Sequence, residues 1–184
     1  MKTLSTMVMA AALCFTLQAY GDNKIDGLHT NDFARLLPQS AAGLERHKTD
    51  TFPDKQELHA QYANQDNSRK AMVLVYTVDP KSNQAAKEDD PYLDVVINSA
   101  KEAMKKDGVT SEQHKLTSEN GTDIRCIDGL KSGNILHSLC AAAVKGRIVE
   151  VQPLTLADKG NTDKALKDNQ TFVIKVIDSV ASAK

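Results

Sequence analysis

The chain has 184 residues, of which 41% are hydrophobic and 4% aromatic, with no tryptophan. It carries 23 basic and 24 acidic side chains, and no segment holds a clear basic excess. This balance argues against nucleic acid or an anionic membrane surface as the partner, because both attract clustered positive charge. The core has to be built from Val, Ile, Leu and Ala.

The first residues have the three parts of a secretory signal peptide. Lys2 gives the positive start, the run 7–17 is uncharged and apolar, and Ala19 and Gly21 are small residues at the cleavage positions. Eleven apolar residues are too few for a helix that spans a bilayer core of roughly 30 Å, and no later segment is as apolar. The sequence therefore predicts export and no membrane span.

We predict a signal peptide over residues 1–21 and a single α+β domain over residues 22–184. The mature protein is then periplasmic or secreted. A lipoprotein attached through Cys14 is the alternative, but Leu13 is larger than the residue that normally precedes a lipidated cysteine.

Two cysteines remain in the mature chain, Cys126 and Cys140. An even number of cysteines in an exported chain indicates a disulfide bond. A redox-active dithiol is the alternative, but its cysteines are usually separated by two residues, whereas thirteen residues intervene here. We therefore predict a structural disulfide.

The first half of the mature chain predicts a short helix over residues 31–37 and a strand over residues 44–52. Residues 58–62 alternate between apolar and polar, and residues 71–78 are almost all apolar, which predicts a hairpin whose second strand is central and covered on both faces. A long helix begins at Pro91, because proline is favoured at the first helical position. Its apolar stripe consists of Leu93, Val96, Ile97, Ala100 and Met104.

The second half predicts an antiparallel meander followed by a helix over residues 163–181. The Asn-Gly pair at 120–121 is typical of a two-residue hairpin turn, and glycines at 133 and 146 predict two further turns. The resulting register places Cys126 opposite Cys140. It also gathers one apolar face around the cystine, formed by Ile124, Ala142, Val144, Val149 and Val151.

This order of elements predicts an α+β fold with a mainly antiparallel sheet of about six to seven strands and two long helices. It resembles the PsbP-like fold in the hairpin 58–78, the helix at Pro91, the meander that ends at residues 144–149, and the final helix. The resemblance implies a protein like the photosystem accessory subunits, transport accessory factors and bacterial envelope proteins of that fold, most of which are not enzymes. It transfers no functional residue to this chain.

Motifs for catalysis or for metal binding are missing from the sequence. The five histidines lack the spacing that places two metal ligands on one helix face; they are His29, His47, His59, His114 and His137. There is no G-x-S-x-G nucleophile motif and no glycine-rich phosphate loop. We therefore predict no catalytic residue, no metal site and no cofactor.

The meander face opposite the cystine carries both polar and apolar side chains. The predicted register pairs Leu116 with Arg125 and Ala141 with Glu150, so that Arg125 and Glu150 meet over the small Ala141. A helix over this face would bury both charges, which is costly unless they are paired, and we expect both long helices on the cystine face. The candidate partner-binding residues are His114, Arg125, Leu139, Glu150 and Gln152; a solvated sheet face with a surface ion pair is the alternative.

These observations together favour a non-catalytic exported envelope protein that binds another, unidentified protein. An accessory, stress or toxin-immunity role would fit. A small-molecule or lipid carrier is the alternative, and it would need an apolar cavity between the sheet and the helices. A small hydrolase is the third possibility, and the sequence leaves the oligomeric state open.

Overall fold

The computed structural model describes residues 24–81, 84–157 and 160–183. The predicted signal peptide and its cleavage site after Gly21 lie outside these residues. Within them the chain forms one antiparallel sheet of eight strands, with three α-helices. The α+β class is confirmed. The sheet exceeds the predicted six to seven strands, and one of its strands is a two-residue segment at the edge that has no clear sequence pattern.

The N-terminal half forms four consecutive strands between a short and a long helix. A 3₁₀ turn at Thr30–Asp32 leads into α1, Phe33–Leu36. The elements that follow are β1 (Ser40–Ala41), β2 (Leu44–Phe52), β3 (Glu57–Ala63), β4 (Arg69–Tyr76) and α2 (Tyr92–Lys106). Each of these strands pairs with the next one in antiparallel orientation.

The C-terminal half forms four more strands and the last helix. They are β5 (Ser111–Thr117), β6 (Asp123–Lys131), β7 (Ile135–Val144), β8 (Arg147–Leu156) and α3 (Thr162–Ser182). The order across the sheet is β1-β2-β3-β4-β8-β7-β6-β5. Two meanders therefore share one sheet, and the pairing of β4 with β8 joins them.

Local chemistry sets both ends of α2. The Asp90 side chain accepts a hydrogen bond from the backbone N–H of Tyr92 at 2.9 Å, which satisfies one of the free donors at the start of the helix. Lys105 and Lys106 lie in the last turn, where positive charge interacts favourably with the helix dipole. Gly108 then takes a φ of +72°, a conformation that ends helices and that glycine adopts without steric cost.

The registers of β6 with β7 and of β7 with β8 are as predicted. Cys126 lies opposite Cys140, and their Sγ atoms are 2.09 Å apart, the distance of a disulfide bond. Ala141 lies opposite Glu150. Lys145 and Gly146 form the two-residue turn with φ values of +49° and +73°, the left-handed pair that a type I′ turn requires.

The register of β5 with β6 differs from the prediction by one residue. Ser118 and Thr122 close a three-residue loop in which Gly121 takes a φ of +85°, the next most common hairpin connection after the two-residue turn. Leu116 therefore lies opposite Ile124 instead of Arg125. Because strand side chains alternate between faces, the shift moves every side chain of β5 to the opposite face.

The cystine face of the sheet is covered by α3 and by the N-terminal segment. Both cysteines are buried there, together with fully buried side chains of α3, namely Phe172, Val173, Val176, Ile177 and Val180. Arg147 is also buried on this side, where its guanidinium lies 5.5 Å from the ring centre of Phe33 and donates to the carbonyl of Leu28 at 3.2 Å. The main hydrophobic core therefore lies on this side of the sheet.

Helix α2 packs on the opposite face, so the prediction that both long helices cover the cystine face is wrong. Leu93 of α2 forms a small apolar cluster with Ala141 and Ile148. The helix lies mainly across β5, β6 and β7. Consequently β4 is central but covered fully on one face only: Val73 is buried, whereas Met72 on the other face is half-buried.

Candidate functional site

Arg125, a candidate partner-binding residue, lies beneath α2. Its Nη1 is 2.6 Å from Oδ1 of Asp94, which the helix brings over the sheet. The Arg125 side chain is 21% exposed, so it is mostly removed from a partner. The predicted approach of Arg125 to Glu150 is therefore wrong, because the helix supplies the acidic partner.

Glu150 is buried on the same face, between β4 and β7. The Tyr76 hydroxyl donates to its Oε2 at 2.8 Å, and the side-chain amide of Gln152 donates to its Oε1. Burial raises the pKa of Tyr76, and the adjacent Glu150 carboxylate raises it further. Tyr76 therefore stays a hydrogen-bond donor, and Glu150 is held by the protein's own groups.

His114 lies on the α3 side of the sheet, because of the register shift in β5. Its Nδ1 is 3.2 Å from Oδ2 of Asp128, which burial gives a raised pKa. Asp128 also bonds to Ser138, whose hydroxyl accepts from Asn169 at 3.2 Å. His114 is therefore separated from the other four candidate residues.

The His114, Asp128 and Ser138 side chains do not form a catalytic triad. In a triad the histidine lies between the serine and the carboxylate and takes the serine's proton, whereas here Asp128 lies in the middle. Asn169 of α3, 1% exposed, covers the serine. This arrangement attaches α3 to the sheet.

Part of the α2-side sheet face is left uncovered, and its apolar side chains are exposed or half-buried. We call this region the open face, defined by Met72, Leu74, Ile135, Leu154 and Leu156. Leu156 is 50% exposed. Isolated exposed apolar side chains are ordinary, but a contiguous set on a rigid sheet is typical of a binding surface.

A groove runs between α2 and the sheet beside the open face, with a volume of about 370 Å³. We call it the α2 groove. Ala100, Ala103 and Met104 form its helix wall; His137, Leu139, Gln152 and Leu154 form its floor; Asp107, Val109 and Lys131 lie at one end. Leu139 and Gln152 are thus the two candidate partner-binding residues that line this groove.

We call the end of the α2 groove at Asp107, Val109 and Lys131 the closed end. The charges there balance each other. Lys131 Nζ is 3.1 Å from Oδ2 of Asp107. Burial lowers the pKa of His137 below its ordinary value of 6.5, and Lys131 lowers it further, while Asp107 opposes the shift. At neutral pH this end offers a neutral imidazole and a neutralised ion pair, a setting that suits apolar groups.

A second depression of about 320 Å³ continues from the α2 groove across β8 and β4. Gln152 and Leu154 line both, so the two are adjacent. The far depression has polar and basic side chains in its lining, among them His47, Gln61 and Lys70, beside apolar ones such as Met72. The combined surface therefore has an apolar end beneath α2 and a basic, polar end over β3 and β4.

Among residues 24–81, 84–157 and 160–183, no group of three or more His, Cys, Asp or Glu side chains is placed to hold a metal ion. No helix in these ranges is long and apolar enough to cross a membrane.

Lys70, Met72 and Leu154 belong to the accessible surface, and they are not among the residues predicted to bind a partner. The apolar run in β4 predicted burial on both faces and concealed Met72. The only signal for Leu154 is its place in an alternating strand beside Gln152, and the pairing of Lys70 with Leu154 depends on the distant contact between β4 and β8.

Comparison with known proteins finds several solved structures with a similar fold. The Ran-binding protein Mog1p of Saccharomyces cerevisiae is 10% identical to this chain. The match covers 72% of this chain and 79% of Mog1p, with a TM-score of 0.41. PsbP of the cyanobacterium Synechocystis is 13% identical to this chain. The match covers 73% of this chain and 91% of PsbP, with a TM-score of 0.41. No protein-family model and no curated protein matches the chain. A PsbP is thus among the matched structures, as the resemblance in the sequence predicted, and the likeness is one of fold alone.

Proposed function

We propose that this chain is a non-catalytic binding protein of the periplasm or of the secreted fraction, and that it binds another protein through the open face. The observation that carries the proposal is the set of apolar side chains on the sheet beside α2, typified by the half-exposed Leu156. An accessory, stress or toxin-immunity role fits such a surface.

The physical argument is the free energy gained when these side chains leave water. Burial of apolar surface contributes roughly 25 cal/mol per Å². Residues at the centre of an interface contribute most of the binding energy, and charged pairs at its rim contribute little. Some polar neighbours at the edge of the open face lie close to partners of their own: Lys48 is 2.7 Å from Asp50, and His59 is 3.4 Å from Glu57.

The buried cystine supports an oxidising compartment. Cys126 and Cys140 are 1% and 2% exposed, and disulfides of this structural kind persist in exported proteins and are rare in the cytosol. A non-catalytic role is supported by the polar groups Glu150, Asp128 and Ser138, each of which is bonded within the protein.

Leu156→Asp tests the protein-binding proposal, since it places a charge in the open face at a position that tolerates polar groups. We expect the thermal stability to change little and the affinity for a partner captured from a periplasmic extract to fall by about tenfold or more. Affinity is measured by calorimetry with the purified partner. Val95→Asp is the matched control, because Val95 is 54% exposed on the outer side of α2; equal effects of the two substitutions would contradict the proposal.

A carrier of small apolar molecules is the second candidate, and the α2 groove favours it. Ligand sites are typically concave, mostly apolar and of about 300–1,000 Å³, and the groove has about 370 Å³. It lies between α2 and the sheet, and a carrier needs a cavity between the sheet and a helix.

A further inference from the structure

We propose that the α2 groove and the basic depression beyond it form one binding site for a single-chain anionic amphiphile, with a fatty carboxylate as the ligand. The alkyl chain lies beneath α2, and the carboxylate lies at Lys70. The inference rests on the carrier role proposed as the second candidate, and it does not depend on the protein partner.

The closed end of the site is suited to an alkyl chain. Gly129 forms part of β6 there, and the absence of a side chain lets Val109 and Met104 approach the strand: a Cβ on Gly129 would lie 2.7 Å and 2.9 Å from their side-chain atoms. Ala100 and Ala103 have small side chains, which leave space between the helix and the sheet. Only the paired Asp107 and Lys131 carry charge at this end, so no uncompensated charge opposes an apolar tail.

The two ends lie along one row of the sheet. Gly129 pairs with His137, His137 with Leu154, and Leu154 with Lys70. These residues lie on four adjacent strands, so the row measures about 14 Å from the first to the last at the usual spacing between strands. An extended dodecyl chain has about this length.

The open end is complementary to an anion. Lys70 is exposed, and within the described ranges it has no acidic side chain within ion-pair distance. His47, Gln61 and Asn67 line the same depression, whose lining includes no Asp or Glu. A carboxylate here gains a charged partner and amide donors without displacing an existing ion pair.

The dimensions of the site favour a ligand with a single alkyl chain. About 370 Å³ beneath α2 and about 320 Å³ at the basic end accommodate a slender molecule laid along the row, and the floor between them is formed by Gln152 and Leu154. The site is a shallow trough open on one side. A ligand in it buries its tail and leaves its head group in contact with water.

The test is isothermal titration calorimetry of the purified protein with dodecanoate, dodecan-1-ol and dodecylammonium, each below its critical micelle concentration. We expect dodecanoate to bind tightest. Lys70→Gln should weaken dodecanoate by about threefold to fivefold, the range of an exposed ion pair, and leave dodecanol unchanged. Ala103→Trp, which fills the groove from the helix side, should weaken both by about tenfold or more.

Two control variants separate this inference from its rivals. Val95→Trp adds the same side chain on the outer side of α2 and should leave dodecanoate affinity unchanged. Leu156→Asp, which lies outside both depressions, should also leave it unchanged even if it abolishes protein binding. The inference is overturned if no dodecanoate binds, if dodecylammonium binds equally well, or if Ala103→Trp has no effect. A dimer in sedimentation velocity that Ala103→Trp disrupts would assign the groove to a second copy and would also overturn it.

Discussion

Glu150 and Arg125 explain how a polar strand face can lie beneath a helix. Both oxygens of Glu150 accept hydrogen bonds, from Tyr76 and from Gln152, and Arg125 pairs with Asp94 of the covering helix. Breaking such a contact leaves a charge without a partner, which costs far more than the pair itself contributes. Polar residues on a strand therefore do not show by themselves that the face is open.

His137 gives the α2 groove a pH dependence whose sign follows from its burial. Its pKa in the folded protein is below 6.5, so the unfolded chain binds a proton more readily. Stability is then retained above pH 6.5 and is lost as the pH falls through the lowered pKa. Urea unfolding at pH 8 and at pH 5 tests this. The decrease in the free energy of unfolding from pH 8 to pH 5 should be smaller in His137→Gln than in the wild type.

The same shift can be observed directly by NMR. The His137 ring proton should titrate with a midpoint below 6.5. Dodecanoate in the groove should move that midpoint further down, because the alkyl chain over the ring excludes water and disfavours the protonated form. A midpoint of 6.5 or above in the free protein would contradict the structural placement of this side chain.

At the scale of elements, Gly129 fixes the distance between α2 and β6. A methyl group there would lie 2.7 Å from Val109 Cγ1 and 2.9 Å from Met104 Sδ, closer than packed atoms come. Gly129→Ala should therefore destabilise the protein by about 1–3 kcal/mol, measured as the free energy of unfolding in urea. Adding Val109→Ala removes the nearest contact and should restore most of the loss; equal stability of the wild type and Gly129→Ala would show that the helix lies further out.

The hairpin turns show which registers a sequence can specify. Lys145 and Gly146 form a two-residue turn, as their sequence predicts. The predicted pairing of β7 with β8 is confirmed. Asn120 and Gly121 also suit a two-residue turn, but there the chain forms a three-residue loop. The reason lies in a tertiary contact: Asp178 of α3 accepts from the backbone N–H groups of Glu119 and Asn120, both at 3.1 Å. A short pattern cannot encode that partner.

The side of the sheet on which a helix packs is also fixed by distant contacts. The apolar stripe of α2 was predicted correctly, and such a stripe fits either face. Leu93 packs against the small Ala141 and the apolar Ile148. Asp94 neutralises the charge of Arg125 in an ion pair. Burial alternation in β4 follows from the same choice, since a helix over β5 to β7 leaves Met72 half-exposed.

At the scale of the whole molecule, the disulfide is the strongest stabilising cross-link. It closes a loop of about 15 residues, which the chain-entropy model rates at roughly 3 kcal/mol. Cys126→Ala combined with Cys140→Ala should lower the free energy of unfolding by about that amount. Thiol titration of the unreduced, denatured protein should find no free thiol, and two reactive thiols in exported protein would instead favour a redox role.

The candidate site was accessible to sequence analysis only in part. Leu139 and Gln152 lie where a mixed, solvent-facing strand pattern predicted accessible residues. Lys70 and Leu154 meet only because β4 pairs with β8, and the two positions are 84 residues apart in the chain. Local periodicity specifies strands and their faces, and it carries little information on which distant strands become neighbours.

The strand order has a consequence for how the chain folds. β1 to β4 form one meander and β5 to β8 form another, and each consists of contacts between segments that are near in sequence. The Cys126–Cys140 bond lies within the second meander, so oxidation of the thiols needs no contact with the first. We expect the meeting of Tyr76 with Ile148 to come later, because it closes a loop of about 70 residues, which costs more entropy than the short loops within each meander. Nascent chains can thus carry a native disulfide before the two halves of the sheet have joined.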